Sequence, residues 1–353
     1  MKILFFANGK SPHTKNWIEE IADRGAKCYL VTDQSCDLKN TEVIQVKGET
    51  TLNQILAIPA VRKITNKLKP DIVHSHYITS YGLWGRATRK HPFVMTPWGS
   101  DILVTPNEGK TMQYYTKVLL QGADLITVNT EQIYETVHEY VSSSHIERIQ
   151  WGINVDSIEQ RKFRTNGSSI SIASLRFWEP IYRISKIVDA FDLLVKDLKE
   201  RTLTLYLLGG GSQEKELKEQ VKRLNLTERV KFVGFVPAES LGSFLSEMDF
   251  SISLARSDGT PVSMLECMAH GVEVIAADLP SIRHWVGDDR GTLVDGNNVV
   301  SVYKGLKESI LNSHEGKNRV LRAREFVEKY ANRQLEMDRM FMLYESLVLR
   351  SGR

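Results

Sequence analysis

Two acidic residues on either side of a short turn form the clearest chemical pattern in this sequence. Asp258 precedes Gly259-Thr260-Pro261 in the stretch ARSDGTPVSMLECMAHG, and Glu266 lies eight positions after Asp258. Because Thr is a favoured N-cap and Pro a favoured first helical residue, a helix capped by Thr260 is predicted to begin at Pro261. The amides of Val262 to Met264, together with the positive end of the helix dipole, would then form an anion site that suits a phosphate.

The spacing along this helix suits a nucleotide sugar. At a rise of about 1.5 Å per residue, Glu266 would lie about 9 Å beyond the cap, which is about the distance from a diphosphate to a ribose hydroxyl. Asp258 could accept hydrogen bonds from the hydroxyls of the sugar, and Gly259 leaves space for the ligand to approach. The alternative is a surface turn followed by a helix with one solvated glutamate.

The elements that must position these residues alternate along the chain. Apolar or β-branched runs such as KILFFA, KCYLVT and DIVHS, and later SISIASL, TLTLYLLGG and VEVIAAD, are separated by segments of helical periodicity. Buried strands joined by helices predict parallel βαβ units, and the polar stretch 151–169 predicts a linker. We therefore predict an α/β protein with Rossmann-like domains at 1–162 and 163–329 and a C-terminal helix at 330–353. Since ligands bind beyond the carboxyl ends of parallel strands, the two domains are expected to face a central cleft.

Composition narrows the class of protein. The chain has 353 residues, of which 42% are hydrophobic and 25% charged, as in globular proteins, and its net charge of +3 is too small to predict nucleic-acid binding. Three cysteines without a CxxC pair suit a reducing compartment, and no apolar stretch reaches the length of a membrane span. The start MKILFFANG does not resemble a signal peptide, so a cytoplasmic protein is expected. His74 and His76 are the one tight histidine pair, and without further ligands nearby they do not predict a zinc site.

The order of these motifs resembles glycosyltransferase family 4, the glycosyl transferases group 1. The family signature is Glu, seven residues and Glu, then small residues, Gly and an apolar strand, and PDIVHSHY, GINVD, LLGGGSQEKELKEQV and VKFVGFVP resemble further family segments. The resemblance implies a GT-B fold whose last helix crosses back to the first domain, with the acceptor on the first domain and the donor on the second. It also implies a hexosyltransferase reaction (EC 2.4) that retains the anomeric configuration and needs neither a metal nor another cofactor.

The resemblance assigns the charge that stabilises the departing diphosphate. Family members carry an Arg and, about five residues later, a Lys after the first strand of the second domain. Arg176 stands at the Arg position, whereas Tyr182 stands where the Lys is expected and Arg183 follows it. Arg183 either replaces the Lys or is a solvated arginine.

Three loops are assigned to ligand contacts by the same resemblance. In ANGKSPHT after the first strand, Gly9 is expected near the donor, and Lys10 and His13 near the acceptor. Gly210, in the glycine turn, and Phe235-Val236 are expected near the nucleotide, where the base would meet mostly backbone. The GGGS turn lacks the last glycine of GxGxxG, so a nicotinamide dinucleotide is not predicted.

The sequence departs from the family pattern at the sugar. Asp258 is one methylene shorter than the usual Glu, and Trp98 stands where many members have a His, with Asp101 following. A Trp can stack on a sugar but cannot accept a proton, so His76 is the alternative for that role. The catalytic set is thus Arg176, Asp258, Arg183 and His76.

The predicted function is transfer of a sugar from a nucleotide sugar to a hydroxyl acceptor in cell-surface glycan or glycolipid synthesis. Two alternatives stay open: a non-catalytic sugar-nucleotide-binding partner of another transferase, and a GT-B-fold sugar-nucleotide epimerase. Basic residues of the first half, among them Arg62, Lys63, Lys67 and Lys69, would suit a lipid-linked acceptor and peripheral contact with the inner face of a membrane, although a solvated helix face is the alternative.

Overall fold

The computed structural model describes residues 1–142, 145–155, 158 and 169–352 and divides the chain into two compact units. Unit 1 comprises Met1–Trp151 and Arg333–Arg353, and unit 2 comprises Gly152–Asn332. The division lies before the predicted boundary at 162/163, which falls outside the described residues. Its position has a physical reason: Ile153 and Val155 are buried in the core of unit 2, and Ile153 forms a β-bridge with Asn332.

Unit 1 is a parallel sheet with helices between its strands. Its strands run in the order β3-β2-β1-β4-β5-β6-β7, all in parallel register. The strands are β1 (Lys2–Phe6), β2 (Lys27–Thr32), β3 (Thr41–Gln45), β4 (Ile72–His76), β5 (Phe93–Thr96), β6 (Leu125–Val128) and β7 (Ile146–Arg148). The helices between them are α1 (Pro12–Asp23), α2 (Thr51–Leu56), α3 (Ile58–Leu68), α4 (Tyr81–Thr88), α5 (Ser100–Leu103), α6 (Lys110–Leu120) and α7 (Glu131–His138).

Unit 2 has the strand order β10-β9-β8-β11-β12-β13, again fully parallel. Its strands are β8 (Ser169–Ser174), β9 (Thr202–Leu208), β10 (Val230–Gly234), β11 (Phe250–Ser253), β12 (Glu273–Ala277) and β13 (Thr292–Val294). Its helices are α8 (Ile184–Asp197), α9 (Glu214–Arg223), α10 (Ala238–Ser246), α11 (Val262–Ala269), α12 (Pro280–Val286), α13 (Val299–Leu311) and α14 (Ser313–Tyr330). This is the Rossmann order, so the predicted pair of Rossmann-like domains is confirmed.

The last helix, α15 (Arg333–Arg350), belongs to unit 1 and packs on α1. Met337, Met340 and Tyr344 are buried among the apolar residues of β1 and β2. The Tyr344 hydroxyl lies 2.6 Å from Nδ1 of His74 and accepts a hydrogen bond from Trp17 Nε1 at 3.3 Å. The helix therefore completes the core of the first unit.

Each sheet has a switch point where the chain reverses its direction of winding, between β1 and β4 in unit 1 and between β8 and β11 in unit 2. Ligands of this fold class bind beyond the carboxyl ends of the strands at such points. In the described part of the chain, no helix is both long and apolar enough to span a bilayer.

Candidate active site

The switch point of unit 2 brings two of the predicted residues together. Arg176 follows β8, and its Nε donates a hydrogen bond of 2.9 Å to Ser253 Oγ at the end of β11. Its Nη2 donates to the Asp258 carboxylate, and both side chains of this ion pair are largely buried. The Asp258 carbonyl in turn accepts a hydrogen bond of 2.6 Å from Ser281 Oγ. Arg176 and Asp258 are therefore held against each other at the strand ends.

Arg183 lies at the same edge of the sheet. Its backbone has φ +53°, and its Nη1 donates to the Leu254 carbonyl at 3.1 Å, directly after β11. Burial and, to a smaller extent, the neighbouring Arg256 lower the pKa of the guanidinium, and Asp295 partly opposes them. Tyr182, at the position expected for Lys, lies with its ring 5.6 Å from Arg176 Cζ. Two guanidinium groups thus stand beyond β8 and β11.

The predicted start of the helix after Asp258 is wrong by one residue. α11 begins at Val262, Pro261 has ψ 70° outside the helical region, and Thr260 does not cap the helix. The Val262 amide donates to the Thr260 carbonyl at 2.9 Å and the Met264 amide to the Pro261 carbonyl at 2.8 Å, because the chain turns tightly before the helix. Two of the three amides expected to face an anion, those of Val262 and Met264, are therefore occupied by carbonyls of this turn.

Glu266 lines a pocket of about 160 Å³ beyond the ends of β8, β9 and β10. The predicted Phe235 and Val236 line the same pocket, and Phe235 is 79% exposed. The remaining lining residues are Leu175, Phe177, Leu208, Gly209, Leu241 and Ser263. An apolar wall with one carboxylate and one hydroxyl suits a flat ring that carries a few polar groups.

Gly209 lines this pocket, and two further glycines predicted to contact the donor, Gly210 and Gly259, lie in unit 2 as well. Gly209 has φ +92°, its amide donates to the Gly234 carbonyl at 2.7 Å, and a Cβ there would lie 3.1 Å from the Arg176 carbonyl. The carbonyl of the predicted Gly210 accepts a hydrogen bond of 2.9 Å from the Trp178 amide. Gly259 would meet no atom within 4 Å if it carried a Cβ, so it leaves open space as expected.

Unit 1 has a second pocket, of about 210 Å³, at its own switch point. It is lined by Asn8, His76, Tyr77, Ser80, Tyr81 and Trp98. His76 is 2% exposed, and neither of its ring nitrogens has a hydrogen-bond partner among the described residues. Aromatic rings surround it, including Phe5, Trp17 and Trp98. The predicted His76 and Trp98 therefore lie together in an aromatic pocket.

His13 and His76 are both held neutral. Burial lowers the pKa of His76 to about 3, with a smaller effect from His13, and lowers that of His13 to about 4, with a smaller effect from Arg333. The His13 ring lies 4.0 Å from the ring of Trp151, centroid to centroid, and 6.1 Å from that of Trp98. His76 can therefore donate or accept a hydrogen bond at neutral pH but is a weak base there.

The environment of Asp101 differs from the one expected of a side chain that contacts the sugar acceptor. Its carboxylate is fully buried and accepts hydrogen bonds from the amides of Trp98 and Gly99, both at 2.9 Å, and of Ile78, at 2.8 Å. These bonds tie the loop after β5 to the loop after β4. Asp101 thus positions Trp98, because its oxygens are occupied by backbone donors.

The loop after β1 is shaped by close packing. A Cβ at Gly9 would lie 2.3 Å from Cys36 Sγ, and the Gly9 amide donates to Thr32 Oγ1 at 3.1 Å. Gly9 is therefore fixed by its neighbours in unit 1. Lys10 is exposed, and its amide donates to Asn8 Oδ1 at 3.0 Å.

Several lining residues were absent from the sequence prediction. Phe177 and Leu241 line the pocket of Glu266, and Ser253 orients Arg176. Phe177 and Ser253 stand at or just after strand ends, so their position along the chain is a usable signal. Leu241 is one apolar residue among many on α10, and nothing in its sequence context distinguishes it. Within the described residues no cluster of three metal-ligating side chains occurs.

Two family models match the chain: Glycosyl transferase 4-like over residues 2–130, and Glycosyl transferases group 1 over residues 156–326. Together they span most of both units. The chain belongs to the group 1 glycosyltransferases. The predicted family is therefore confirmed.

Several curated proteins are similar in sequence to this group 1 glycosyltransferase. An uncharacterized glycosyltransferase of Methanocaldococcus jannaschii is 24% identical, over 74% of this chain and 71% of the relative. N-acetyl-alpha-D-glucosaminyl L-malate synthase of Bacillus anthracis is 20% identical, over 93% of this chain and 90% of the relative. Alpha-monoglucosyldiacylglycerol synthase of Streptococcus pneumoniae is 21% identical, over 64% of this chain and 56% of the relative.

Solved structures share the fold. HepE of Anabaena, solved in complex with UDP, matches with a TM-score of 0.80 and 16% identity, covering 98% of this chain and 100% of that one. At that identity the likeness supports the GT-B fold and not a substrate, and the predicted GT-B fold is confirmed.

Proposed function

We propose that this group 1 glycosyltransferase binds the donor as a nucleoside diphosphate sugar in unit 2 and transfers the sugar with retention of configuration. The observation that carries the proposal is the pocket in which Glu266, Phe235 and Val236 meet, next to the Arg176–Asp258 pair. The base would stack against the Phe235 side of the pocket, and Glu266 would accept hydrogen bonds from the ribose.

Arg176 is the group that we expect to stabilise the leaving diphosphate. Ser253 and Asp258 engage its Nε and Nη2, which leaves Nη1 to meet a phosphate oxygen. Negative charge grows on that oxygen in the transition state, so a donor fixed in advance lowers the barrier. Arg183 would add positive charge from the same edge of the sheet, in the role of the usual Lys.

Retention follows in this proposal from attack on the face that the diphosphate leaves, with the leaving phosphate as proton acceptor. The guanidinium groups of Arg176 and Arg183 would supply the charge that a metal supplies in other transferases. Metal independence thus remains a prediction, as does the cytoplasmic location. Incubation with EDTA should leave the rate unchanged, and NMR of the product should show the anomeric configuration of the donor.

The acceptor is proposed to be a glycan or glycolipid hydroxyl bound at the aromatic pocket of unit 1. Trp98 can stack on the apolar face of a sugar, and neutral His76 can hydrogen-bond a hydroxyl. One relative, alpha-monoglucosyldiacylglycerol synthase, is named for a glycolipid, which supports a lipid acceptor in this proposal. We also propose peripheral contact with a membrane, through the exposed surface of helices α2 and α3 in unit 1.

Thermal unfolding in the presence of UDP-, GDP-, ADP- and dTDP-glucose tests the donor site. A ligand that prefers the folded protein raises the midpoint, so one or more of these nucleotides should do so. Glu266→Ala should weaken binding of that nucleotide about tenfold or more, because a hydrogen bond to a charged group contributes about 1.5–3 kcal/mol. Glu228→Ala, at an exposed glutamate of the same unit, is the control.

Unchanged nucleotide affinity in a folded Glu266→Ala variant would contradict the donor site. Transfer or slow hydrolysis of the donor separates the transferase from its two alternatives, which the transferase relatives do not favour. Epimerised donor without an acceptor, or nucleotide binding without any turnover, would support the alternatives instead.

A further inference from the structure

The helical segment α2–α3 of unit 1 exposes an unusual surface. Ala57, which joins the two helices, is itself helical in conformation, and its amide donates to the Asn53 carbonyl at 2.9 Å. The Val61 amide likewise donates to the Ala57 carbonyl at 2.9 Å, so hydrogen bonding continues across the junction. Residues 51–68 therefore form a nearly continuous helix of about 27 Å.

One face of this helix packs on unit 1. Ala57, Val61 and Thr65 are buried at a spacing of four residues, and Trp84 Nε1 donates to the Gln54 carbonyl at 2.9 Å. Arg62 Nε donates to the Ala87 carbonyl at 2.7 Å at the end of α4. The packed face fixes which side chains point outward.

The outward face changes character along its length. At its amino end Leu52, Ile55 and Leu56 are 65%, 51% and 66% exposed. Further along the same face, at helical spacing, come the exposed Lys63 and Lys67. A helix face that contacts only water is expected to be polar, so three large exposed apolar side chains followed by lysines are unusual there.

The charge of the segment is of one sign. Between Thr50 and Pro70 the sequence has four basic residues, Arg62, Lys63, Lys67 and Lys69, and no acidic one. The nearest acids lie outside it: Glu49, bonded to the Gly48 amide and to Asn53, and Asp71, which accepts from the Lys2 amide. Neither Lys63 nor Lys67 forms an ion pair within the described residues.

We propose that residues 51–69 dock unit 1 on an anionic lipid bilayer, with Leu52, Ile55 and Leu56 inserted at the boundary of headgroups and acyl chains. Amphipathic helices bind in this way, by burying apolar side chains about 5–10 Å deep while basic residues meet anionic headgroups. The apolar end would insert, and Lys63 and Lys67 would remain among the headgroups with their apolar stems along the surface. Lipid binding by this surface does not depend on the transfer reaction, so it can be measured without donor or acceptor.

Sedimentation of the full chain with vesicles tests the proposal. Phosphatidylcholine vesicles with about 30% phosphatidylglycerol should bind the protein, pure phosphatidylcholine vesicles much less, and binding should weaken as salt is raised. Lys63→Glu/Lys67→Glu should weaken binding to the anionic vesicles by at least about 25-fold, since each lost basic residue costs about fivefold. Lys215→Glu/Lys222→Glu, at exposed lysines of α9, is the control with the same charge change.

A second variant tests the apolar end of this surface. Leu52→Asp/Ile55→Asp should weaken vesicle binding at least tenfold, whereas Leu311→Asp/Leu349→Asp, at side chains 51% and 74% exposed, should not. Nucleotide binding, measured without vesicles, should be the same in all four variants. Anionic vesicles that bind both docking variants as well as the unaltered protein, or failure of the unaltered protein to bind them, would overturn the proposal. Because the lysines are exposed, their variant tests it even if the aspartate variant does not fold.

Discussion

Arg176 is oriented by two oxygen acceptors that lie on the neighbouring strand and the loop after it. Ser253 holds Nε, and Asp258 holds Nη2. The sequence predicted Arg176 and Asp258 as members of one site but assigned Asp258 to the hydroxyls of the sugar. The structure adds a contact between the two, so we infer that Asp258 also acts as a positioning residue for the guanidinium.

Turnover should respond unequally to changes in this pair. Arg176→Ala should lower kcat about 10²–10³-fold, the usual loss for one transition-state donor, and Asp258→Asn about tenfold, because the guanidinium remains but loses its ionic partner. Steady-state kinetics with a saturating donor would measure both. Arg283→Ala removes an exposed Arg–Asp pair of the same unit and should leave kcat unchanged. An Asp258→Asn variant that binds the donor more weakly at unchanged kcat would show that Asp258 serves ground-state binding instead.

His76 should make the folded protein sensitive to acid. Its pKa in the folded state is about 3, below the ordinary value of 6.5, so the unfolded chain takes up a proton that the folded chain does not. The free energy of unfolding should therefore be unaffected above about pH 6.5 and fall as the pH decreases toward 4, by up to about 1.4 kcal/mol per pH unit for each such histidine.

His76→Phe should reduce this acid dependence, because the ring stays in its aromatic surroundings without a titrating nitrogen. Thermal midpoints at pH 7.5, 6.0 and 5.0 would measure the effect, and the surface variant His138→Asn should behave like the unaltered protein. Equal loss of stability between pH 7.5 and 5.0 in the Phe variant and the unaltered protein would refute the role of His76.

The turn between β9 and α9 links backbone conformation to the donor pocket. Gly209 and Gly25 have nearly equal φ values, +92° and +91°, but a Cβ at Gly209 would press on the Arg176 carbonyl, whereas one at Gly25 would meet no atom within 4 Å. Gly25→Ala should cost only the strain of a left-handed residue, about 1–2 kcal/mol. Gly209→Ala should cost more and also weaken nucleotide binding. Thermal unfolding with and without nucleotide separates these effects, and equal affinity in the two variants would contradict the proposed site.

Sequence patterns predicted the parallel strands and their alternation with helices because buried β-branched runs and helical periodicity are local signals. They placed the start of α11 at Pro261, one residue early, since the hydrogen bond from Val262 to Thr260 depends on the turn geometry and not on residue type. They also missed the environment of Asp101, whose three backbone donors come from the loops after two different strands. Contacts of that kind depend on tertiary placement.

The first unit depends on the last helix of the chain. Tyr344→Phe would leave Nδ1 of buried His74 and Nε1 of Trp17 without the hydroxyl, at a cost of about 1–3 kcal/mol. The thermal midpoint of the variant should fall while nucleotide affinity stays unchanged, because unit 2 comprises only Gly152–Asn332. Tyr330→Phe, on α14, is the control. A midpoint equal to that of the unaltered protein would show that the hydroxyl is dispensable.

Because the chain enters unit 2 after Trp151 and returns to unit 1 at Arg333, the two units become complete at different times during synthesis. When synthesis has passed Asn332, all of unit 2 has been made. The core of unit 1 then still lacks the side chains of Met337, Met340 and Tyr344, which lie on α15. Until the last helix is made, the apolar residues of the first half that pack on Met337, Met340 and Tyr344 lack that contact. Because chaperones bind exposed apolar side chains, we expect them to bind this protein mainly during that interval.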